Sequence, residues 1–546
     1  MKKSSFVEGT FIATIAIVLT KIMGMLYVIP FYKIVGEAGG ALYAYAYTIY
    51  VLFIDISTAG IPNAISKITK EYNTLGKEEA KVRTFKLAIK LISIIALISF
   101  IILFIFAEQI GVFLLEDITG GNTIEDVKIV IRCVSFALLV IPFLSVSRGF
   151  LQGHSIISVS STSQVIEQIA RIAVILGGSY ITLNLLGLSL TTAVGVAIFG
   201  AFVGGISAFI YIATKIYNNR QELNIAKEYK KQDDVTNKEI IKKIIAYAIP
   251  VIIVSVSVSI YNIVDMVIIL KTISRLVYDG PTTEFIASAI NTWSTKINMI
   301  VTSVGAGMTA SLIPTIVKAY TLNDFKDVND KCNKALQIII LICLPMVVGI
   351  SLLSKPLWTI FYGYNEIGIN ILSLNIFVAL LMNLFMVTNF TLQSTNMFKT
   401  VYISALSGFV LNAILDAPFM ILFSKIGIPA YLGATVATLT GYTVSILVAL
   451  LTFKKKYNFK YKETLEVIGK SLLAVIIMVC VVILLKLVMP INIDSNLSMI
   501  MYIGVISLVG AAAYLIVAWK LNLIKDVLGE DFVKKIIKKL TFGKVS

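Results

Sequence analysis

Charge is what this sequence has least of. Only 14% of its 546 residues are Asp, Glu, Lys or Arg, against about 25% in soluble domains, and that cannot cover the surface of a soluble chain of this length. An ordinary cytosolic enzyme is excluded. The one histidine, His154, falls in a short turn and reads as a surface residue, so an acyltransferase needing a histidine within the membrane would have to use it. Four cysteines (Cys133, Cys332, Cys343, Cys480) stand far apart with no CxxC spacing, which excludes a disulfide framework or a metal knuckle. There is no GxxxxGK[ST], HExxH, DxD or GxSxG. The GxGxxA match at Gly305 to Ala310 lies inside an apolar helix, not after a strand. No polar segment between apolar runs exceeds about 30 residues, so no soluble ATPase sits between them. Any transport must be driven by the substrate gradient, a Na+ or H+ gradient or the membrane potential, and no metal or other cofactor is expected.

What is present is apolar. Hydrophobic residues make up 58% of the chain and the mean hydropathy is +0.90, so the solvent is lipid. A helix needs about 20 apolar residues to cross a bilayer, and fourteen such runs emerge, from 10–32 and 41–66 at the start, through 244–270 and 285–311, to 471–489 and 498–519. The first run follows Lys2 and Lys3, exceeds signal-peptide length and lacks a cleavage site, so it reads as a retained span. Of the 47 Lys and Arg, 36 fall in alternate polar segments beginning with the N-terminus, eight in the intervening ones and three inside spans. By the positive-inside rule both termini face the cytoplasm of a bacterial plasma-membrane protein. The net charge of +16 then reflects a basic face toward anionic lipid headgroups, with no nucleic acid implied. The tail 533–539 has amphipathic spacing and is expected to lie along the membrane surface.

Two stretches about 250 residues apart look alike. Gly60-Ile61-Pro62 through Lys70-Glu71-Tyr72 matches Leu312-Ile313-Pro314 through Lys318-Ala319-Tyr320, and Arg148 to Gly153 matches Asn389 to Ser394. Six spans separate the members of each pair, so the halves have the same orientation and form parallel repeats. The expected architecture is an all-α polytopic membrane protein: an N-lobe (1–213), a charged linker (214–243), a C-lobe (244–453), two additional spans (454–519) and a basic tail (520–546).

Seven ionisable residues fall inside spans: Lys21, Asp55, Glu167, Arg171, Asp265, Lys296 and Asp416. Each costs about 2.5–3.5 kcal/mol at the bilayer centre, so they should face one another or water. Glu167 and Arg171 are one helical turn apart and are expected to pair. Neither Lys21 nor Lys296 has an acid three or four residues away, so each needs an anion from elsewhere, which a substrate headgroup would supply. Asp55 would sit opposite Lys21. Asp265 would form a gate pair with Lys271 or an ion site, and Asp416 precedes Pro418 with a structural or a functional role open. Gly24, Pro30, Gly60, Pro62, Gly305, Gly307 and Pro314 would let spans 1, 2 and 8 bend.

The segments Thr20-Lys21-Ile22-Met23-Gly24, Ile56 to Pro62 followed by Lys67, Gly149 to Gly153 and Ser163 to Arg171 resemble the polysaccharide-export flippases of Gram-positive bacteria. These belong to the MATE-like MOP superfamily and include MurJ-like lipid II flippases and stage V sporulation protein B. The resemblance implies two six-helix lobes, a cationic cavity, alternating access, spans 13 and 14 as a groove for a lipid tail, and transfer of undecaprenyl-linked cell-wall precursors between leaflets. Family cavity arginines map onto Lys21 and approximately Lys296, and another onto Tyr27. The site so implied has Lys21, Lys296, Arg171 and Tyr27 around the headgroup, Asp55, Asp265 and Glu167 for gating or ion coupling, and Gly24, Pro62, Gly305 and Pro314 for bending, in a monomer. Two other readings stay open. A MATE-type exporter of cationic drugs would want an acidic cavity, which Lys21 and Lys296 oppose, and a membrane-embedded glycan polymerase or ligase would want longer outer loops.

Overall fold

The computed structural model describes residue 16 and residues 18–116, 118–225, 234–276, 278–491 and 495–529, without the side chains at 250, 254, 309–311, 313 and 314. Lys2, Lys3, the middle of the 214–243 linker and the tail 533–539 lie outside the described residues. Among the described residues all regular structure is helical, since a chain in lipid must satisfy its backbone within each segment. Twelve helices among them are long and apolar enough to cross a membrane, two fewer than the fourteen spans expected. One of them, Val18–Thr74, has 57 residues, about 85 Å of helix where one crossing takes about 30 Å. It holds two of the expected spans, parted at Gly36 with φ 67° and ψ −167°. The expected span 285–311 is not among the twelve.

The chain divides into two compact units, Met1–Thr292 and Trp293–Ser546. The first holds α1 (18–26), α2 (Val28–Thr58), α3 (Ile61–Thr74), α4 (Glu78–Ile105), α5 (Ala107–Leu115), α6 (Ile124–Ser135), α7 (Ile141–Gly153), α8 (Ile157–Ala173), α9 (Leu190–Asn218), α10 (Asn237–Ile273) and α11 (Gly280–Ser288). The boundary falls well past the charged linker because α10 packs on α2, α3 and α4. Gly60 explains part of this. Its φ of 74° ends α2 and starts α3, and a Cβ on it would stand 2.8 Å from Val251 Cβ and 2.9 Å from the Ala248 carbonyl oxygen of α10. Pro62 follows in the first turn of α3, where its missing N–H costs nothing.

The second unit holds α12 (Ser294–Thr321), α13 (Phe325–Leu352), α14 (Ser354–Tyr362), α15 (Glu366–Ser394), α16 (Phe398–Lys425), α17 (Tyr431–Tyr457), α18 (Lys462–Val488), α19 (Asn496–Lys520) and α20 (Leu523–Leu528). The two C-terminal spans, α18 and α19, pair with each other and dock on α13, where the Tyr514 hydroxyl donates to the Leu341 carbonyl at 2.9 Å. Lys470 of α18 pairs with Asp526 of α20 at 2.6 Å.

The internal repeat shows in how helices stop. After α3, Leu75 N–H donates to Glu71 O and Lys77 N–H to Tyr72 O around Gly76 at φ 68°; after α12, Leu322 donates to Lys318 O and Asp324 to Ala319 O around Asn323 at φ 55°. After α7, His154 donates to Phe150 O and Ile156 to Leu151 O around Ser155; after α15, Thr395 donates to Thr391 O and Met397 to Leu392 O around Asn396. The copies differ at one place. Where the first has Gly60 the second has Leu312, and α12 runs unbroken through Gly305 and residue 314, because a leucine has no cheap access to the left-handed turn. The sites expected to bend, Gly305 and Pro314, both fall within this one continuous helix, and the Pro314 side chain lies outside the described residues.

Candidate functional site

Three charges of the first unit, Arg148, Glu167 and Arg171, meet on α7 and α8. One Glu167 carboxylate oxygen accepts from Arg171 Nη2 at 2.6 Å, as the one-turn spacing predicts, and the other accepts from Arg148 Nη2 at 2.9 Å. Arg148 Nε donates in turn to Ser163 Oγ at 2.9 Å. One carboxylate between two guanidiniums leaves the group with an excess positive charge, and its side chains are only 14–24% exposed. Arg171 Nε is buried and finds no acceptor among the described residues.

Glycines bring the backbones together around this group. On α9 a Cβ at Gly204 would stand 2.6 Å from the Glu167 carbonyl oxygen, and one at Gly200 would stand 3.0 Å from that of Arg171. This is the close approach that small residues one turn apart allow within a membrane. On α1 a Cβ at Gly24 would stand 3.3 Å from Gln168 Nε2, so the helix passes α8 at this glycine, and it continues to residue 26 before a turn at Tyr27. Lys21 lies one turn before that contact. It is half-buried and makes no ion pair or hydrogen bond among the described residues. Tyr27 is buried with its hydroxyl 3.4 Å from that of Tyr43, and Tyr27, Tyr43, Tyr47 and Tyr50 all lie within electrostatic range of the Arg171 guanidinium. Lys21, Tyr27, Glu167 and Arg171 thus belong to one region.

Asp55, expected opposite Lys21, accepts from the Ser259 hydroxyl of α10, which ties α2 to α10, and makes no ion pair with Lys21 among the described residues. Asp265 is buried at 5% exposure on α10, and the Lys271 ammonium lies over the Phe113 ring at 5.3 Å. In the second unit Lys296 is buried on α12, between Ser294 and Asn298, which both donate to Asn375 Oδ1 of α15 at 3.0 and 2.8 Å. Gly305 serves packing here, since a Cβ on it would stand 2.2 Å from Asn383 Oδ1. Asp416 is fully buried on α16 beside Asn412, whose amide donates to it at 3.4 Å.

Three features were missed in sequence. Hydropathy puts Arg148 in a polar segment between apolar runs, but it sits inside α7. Glu284 of α11 is 2% exposed and accepts from the Asn122 backbone N–H at 2.8 Å and from the Asn122 side-chain amide. It holds the loop between α5 and α6, and Asp279, whose carboxylate caps α11 by accepting from Thr282 N–H at 3.0 Å, is held below the usual carboxylate range by the Thr282 side chain first and by that backbone contact second. His154 is no surface residue: it is 9% exposed, Nδ1 lies 2.9 Å from Phe150 O, and the ring stacks edge-on to Phe150.

A chain whose described residues are all helical, in two units with repeated helix ends and a cationic cluster inside the first, has the build of a polytopic helical membrane protein made from an internal repeat. The model of the family described as polysaccharide biosynthesis protein matches residues 6–320. The chain is 32% identical over 538 residues to lipid II flippase MurJ of Bacillus subtilis (strain 168), covering 96% of this chain and 97% of that one. It therefore belongs to the polysaccharide-biosynthesis family of MurJ-like membrane transporters and is not an enzyme. The fold agrees: a solved lipid II flippase MurJ in an inward closed conformation superposes with a TM-score of 0.69 at 19% identity, covering 94% of this chain and 99% of that one. A multidrug-resistance MATE transporter of the MOP superfamily, inward-facing, gives a TM-score of 0.63 at 16% identity over 81% of this chain and 98% of that one.

Proposed function

We propose that this protein moves an undecaprenyl-diphosphate-linked cell-wall precursor, lipid II or a related lipid-linked oligosaccharide, from the inner to the outer leaflet by alternating access, with both termini in the cytoplasm and as a monomer. The observation that carries this reading is the excess positive charge inside the first unit. Arg148 and Arg171 share one carboxylate, and Lys21, one turn from the α1–α8 contact, has none. Buried cations in lipid call for an anion, and a diphosphate supplies two or more charges in acceptor oxygens that suit guanidinium and ammonium donors. The glycan headgroup is too polar for hydrocarbon while the polyprenyl tail stays in lipid, so only the headgroup needs a polar path.

In this reading Lys21, Lys296, Arg171 and Tyr27 contact the headgroup, and Glu167 sets the charge that a headgroup finds there. Asp55 and Asp265 serve gating or coupling to Na+, H+ or the membrane potential. A MATE-type exporter of cations is the second reading, and the Ser259 contact that occupies Asp55 counts against a free acidic cavity. The test is lipid II translocation in proteoliposomes by wild type, Lys21→Glu and Lys296→Glu, each with melting checked. Transport by wild type and its loss in both variants is expected. A wild type that leaves lipid II in place but exports a cationic dye would move the exporter reading to the front.

A further inference from the structure

Along its length α3 carries a polar stripe that the central charges do not use. Asn63, Ser66, Lys67, Lys70, Glu71 and Thr74 line one open cavity of about 770 Å³. Their spacing of three and four residues puts them on one face of the helix, and the stripe begins just past the Gly60 break. The only acid in this lining is already taken: Lys243 of α10 pairs with Glu71 at 2.7 Å. The two lysines are held without being neutralised. Lys67 Nζ stands 4.0 Å over the Tyr247 ring of α10, and Lys70 Nζ donates to Ser155 Oγ at 3.1 Å, in the turn between α7 and α8. Neither pairs with a carboxylate among the described residues. The cavity therefore offers two ammonium groups one helical turn apart, beside hydroxyl and amide groups, with its one carboxylate spoken for.

We propose that this cavity is a receiving site where the diphosphate of a lipid-linked headgroup binds at the inner face, before the headgroup reaches Lys21. The proposal rests on the flippase reading and adds a binding step to it. Lysines three residues apart have Cβ atoms about 5–6 Å from each other, and their four-carbon stems let one ammonium meet each phosphate as a mobile point charge. A receiving site benefits from such contacts because it must also release. Asn63 and Ser66, one turn nearer the Gly60 break, face the direction of travel and offer donors and acceptors to the first sugar.

The test uses the full chain in nanodiscs and reads binding of lipid II, of inorganic pyrophosphate and of phosphatidylglycerol to wild type, to Lys67→Gln/Lys70→Gln, to Lys67→Arg/Lys70→Arg and to a control, Lys454→Gln/Lys455→Gln, whose lysines lie on α17. All four exchanges are at exposed positions, and equal melting temperatures confirm folding. The glutamine pair should weaken lipid II and pyrophosphate binding about tenfold or more, while the arginine pair and the control keep it and phosphatidylglycerol fails to compete. Unchanged lipid II and pyrophosphate affinity in the glutamine pair would overturn the proposal, as would phosphatidylglycerol competing as well as pyrophosphate, which would make the lysines a general contact for anionic lipid. The two readings fail separately. A wild type that binds pyrophosphate through these lysines yet moves no lipid II sinks the flippase reading and leaves the site; a glutamine pair that binds and flips like wild type sinks the site and leaves the flippase.

Discussion

Gly149 of α7 lies so close to Pro62 of α3 that a Cβ on it would stand 2.5 Å from the Pro62 carbonyl oxygen. One turn on, a Cβ at Gly153 would stand 2.5 Å from Thr69 Cβ and 2.8 Å from the Ser66 carbonyl oxygen. The two glycines clamp α7 against the first half of α3, the part of the helix that follows the break at Gly60. The stripe of the receiving site is thereby held in place from behind.

Gly149→Val and Gly153→Val are therefore expected to destabilise, since the atoms met are backbone and buried side chain that cannot swing away. Overpacking of this kind costs about 1–3 kcal/mol, enough to lower the melting temperature in detergent by several degrees. Gly307→Ala has nothing within 4 Å of the added Cβ and serves as the control, with little change expected.

Gly204 makes the same argument at the ion group. A leucine there would meet the Glu167 carbonyl oxygen and the Arg171 Cβ, which a Cβ would approach at 2.6 and 3.0 Å. The expected result is a protein that either fails to accumulate in the membrane or melts well below wild type. Gly195→Ala on the same helix, where only Cys133 Sγ is within reach at 3.3 Å, should fold. Fluorescence-detection gel filtration with a heating step distinguishes the two, and a Gly204→Leu protein as stable as Gly195→Ala would refute the packing account.

How far these features could be read from the sequence depends on whether they are local. The Glu167–Arg171 pair follows from spacing along one helix. Arg148 is 19 residues from Glu167, and nothing in the spacing brings it there; its hydropathy placed it in a loop, while α7 extends to Gly153 and turns its side chain inward. The glycines of 149–153 and 200–204 carry the small-xxx-small spacing that marks close helix approach, a signal present in the sequence although the first pair enters the sequence analysis only through the resemblance and the second not at all. Glu284 gave no signal, because its partner Asn122 is 162 residues away. The unit boundary at Thr292 is likewise set by contacts of α10 with α2 and α3, which charge in the linker does not report.

Glu284→Ala should free the loop between α5 and α6. The Asn122 N–H and side-chain amide lose their acceptor, which costs about 1–3 kcal/mol where the groups stay buried, and Gly121, whose neighbourhood the carboxylate fills, gains room. Hydrogen exchange across 119–123 is the direct reading, and faster exchange there with α18 and α19 unchanged is expected. Exchange as slow as in wild type would mean that the loop is held by other contacts, such as the Asn122 amide on the Ala38 carbonyl at 3.1 Å.

The three-charge group makes an ordered prediction. Arg148→Ala removes one guanidinium and leaves Glu167 paired with Arg171, so charge is balanced within the group. Glu167→Gln removes the only carboxylate and leaves two guanidiniums facing each other in a place where Glu167 and Arg148 side chains are each 14% exposed. Breaking a buried pair by removing one partner costs about 3–5 kcal/mol because the remaining charge is uncompensated. Glu167→Gln should therefore be the less stable of the two, and Arg148→Ala/Glu167→Gln should recover part of the loss, because the double variant carries one guanidinium where the single carries two. Added pyrophosphate gives the functional side of the same argument. If the group meets a diphosphate, the anion should raise the melting temperature of Glu167→Gln more than that of wild type, since it replaces the missing negative charge. An equal rise in both proteins would mean that the anion binds elsewhere, and the headgroup role of Arg171 would fall.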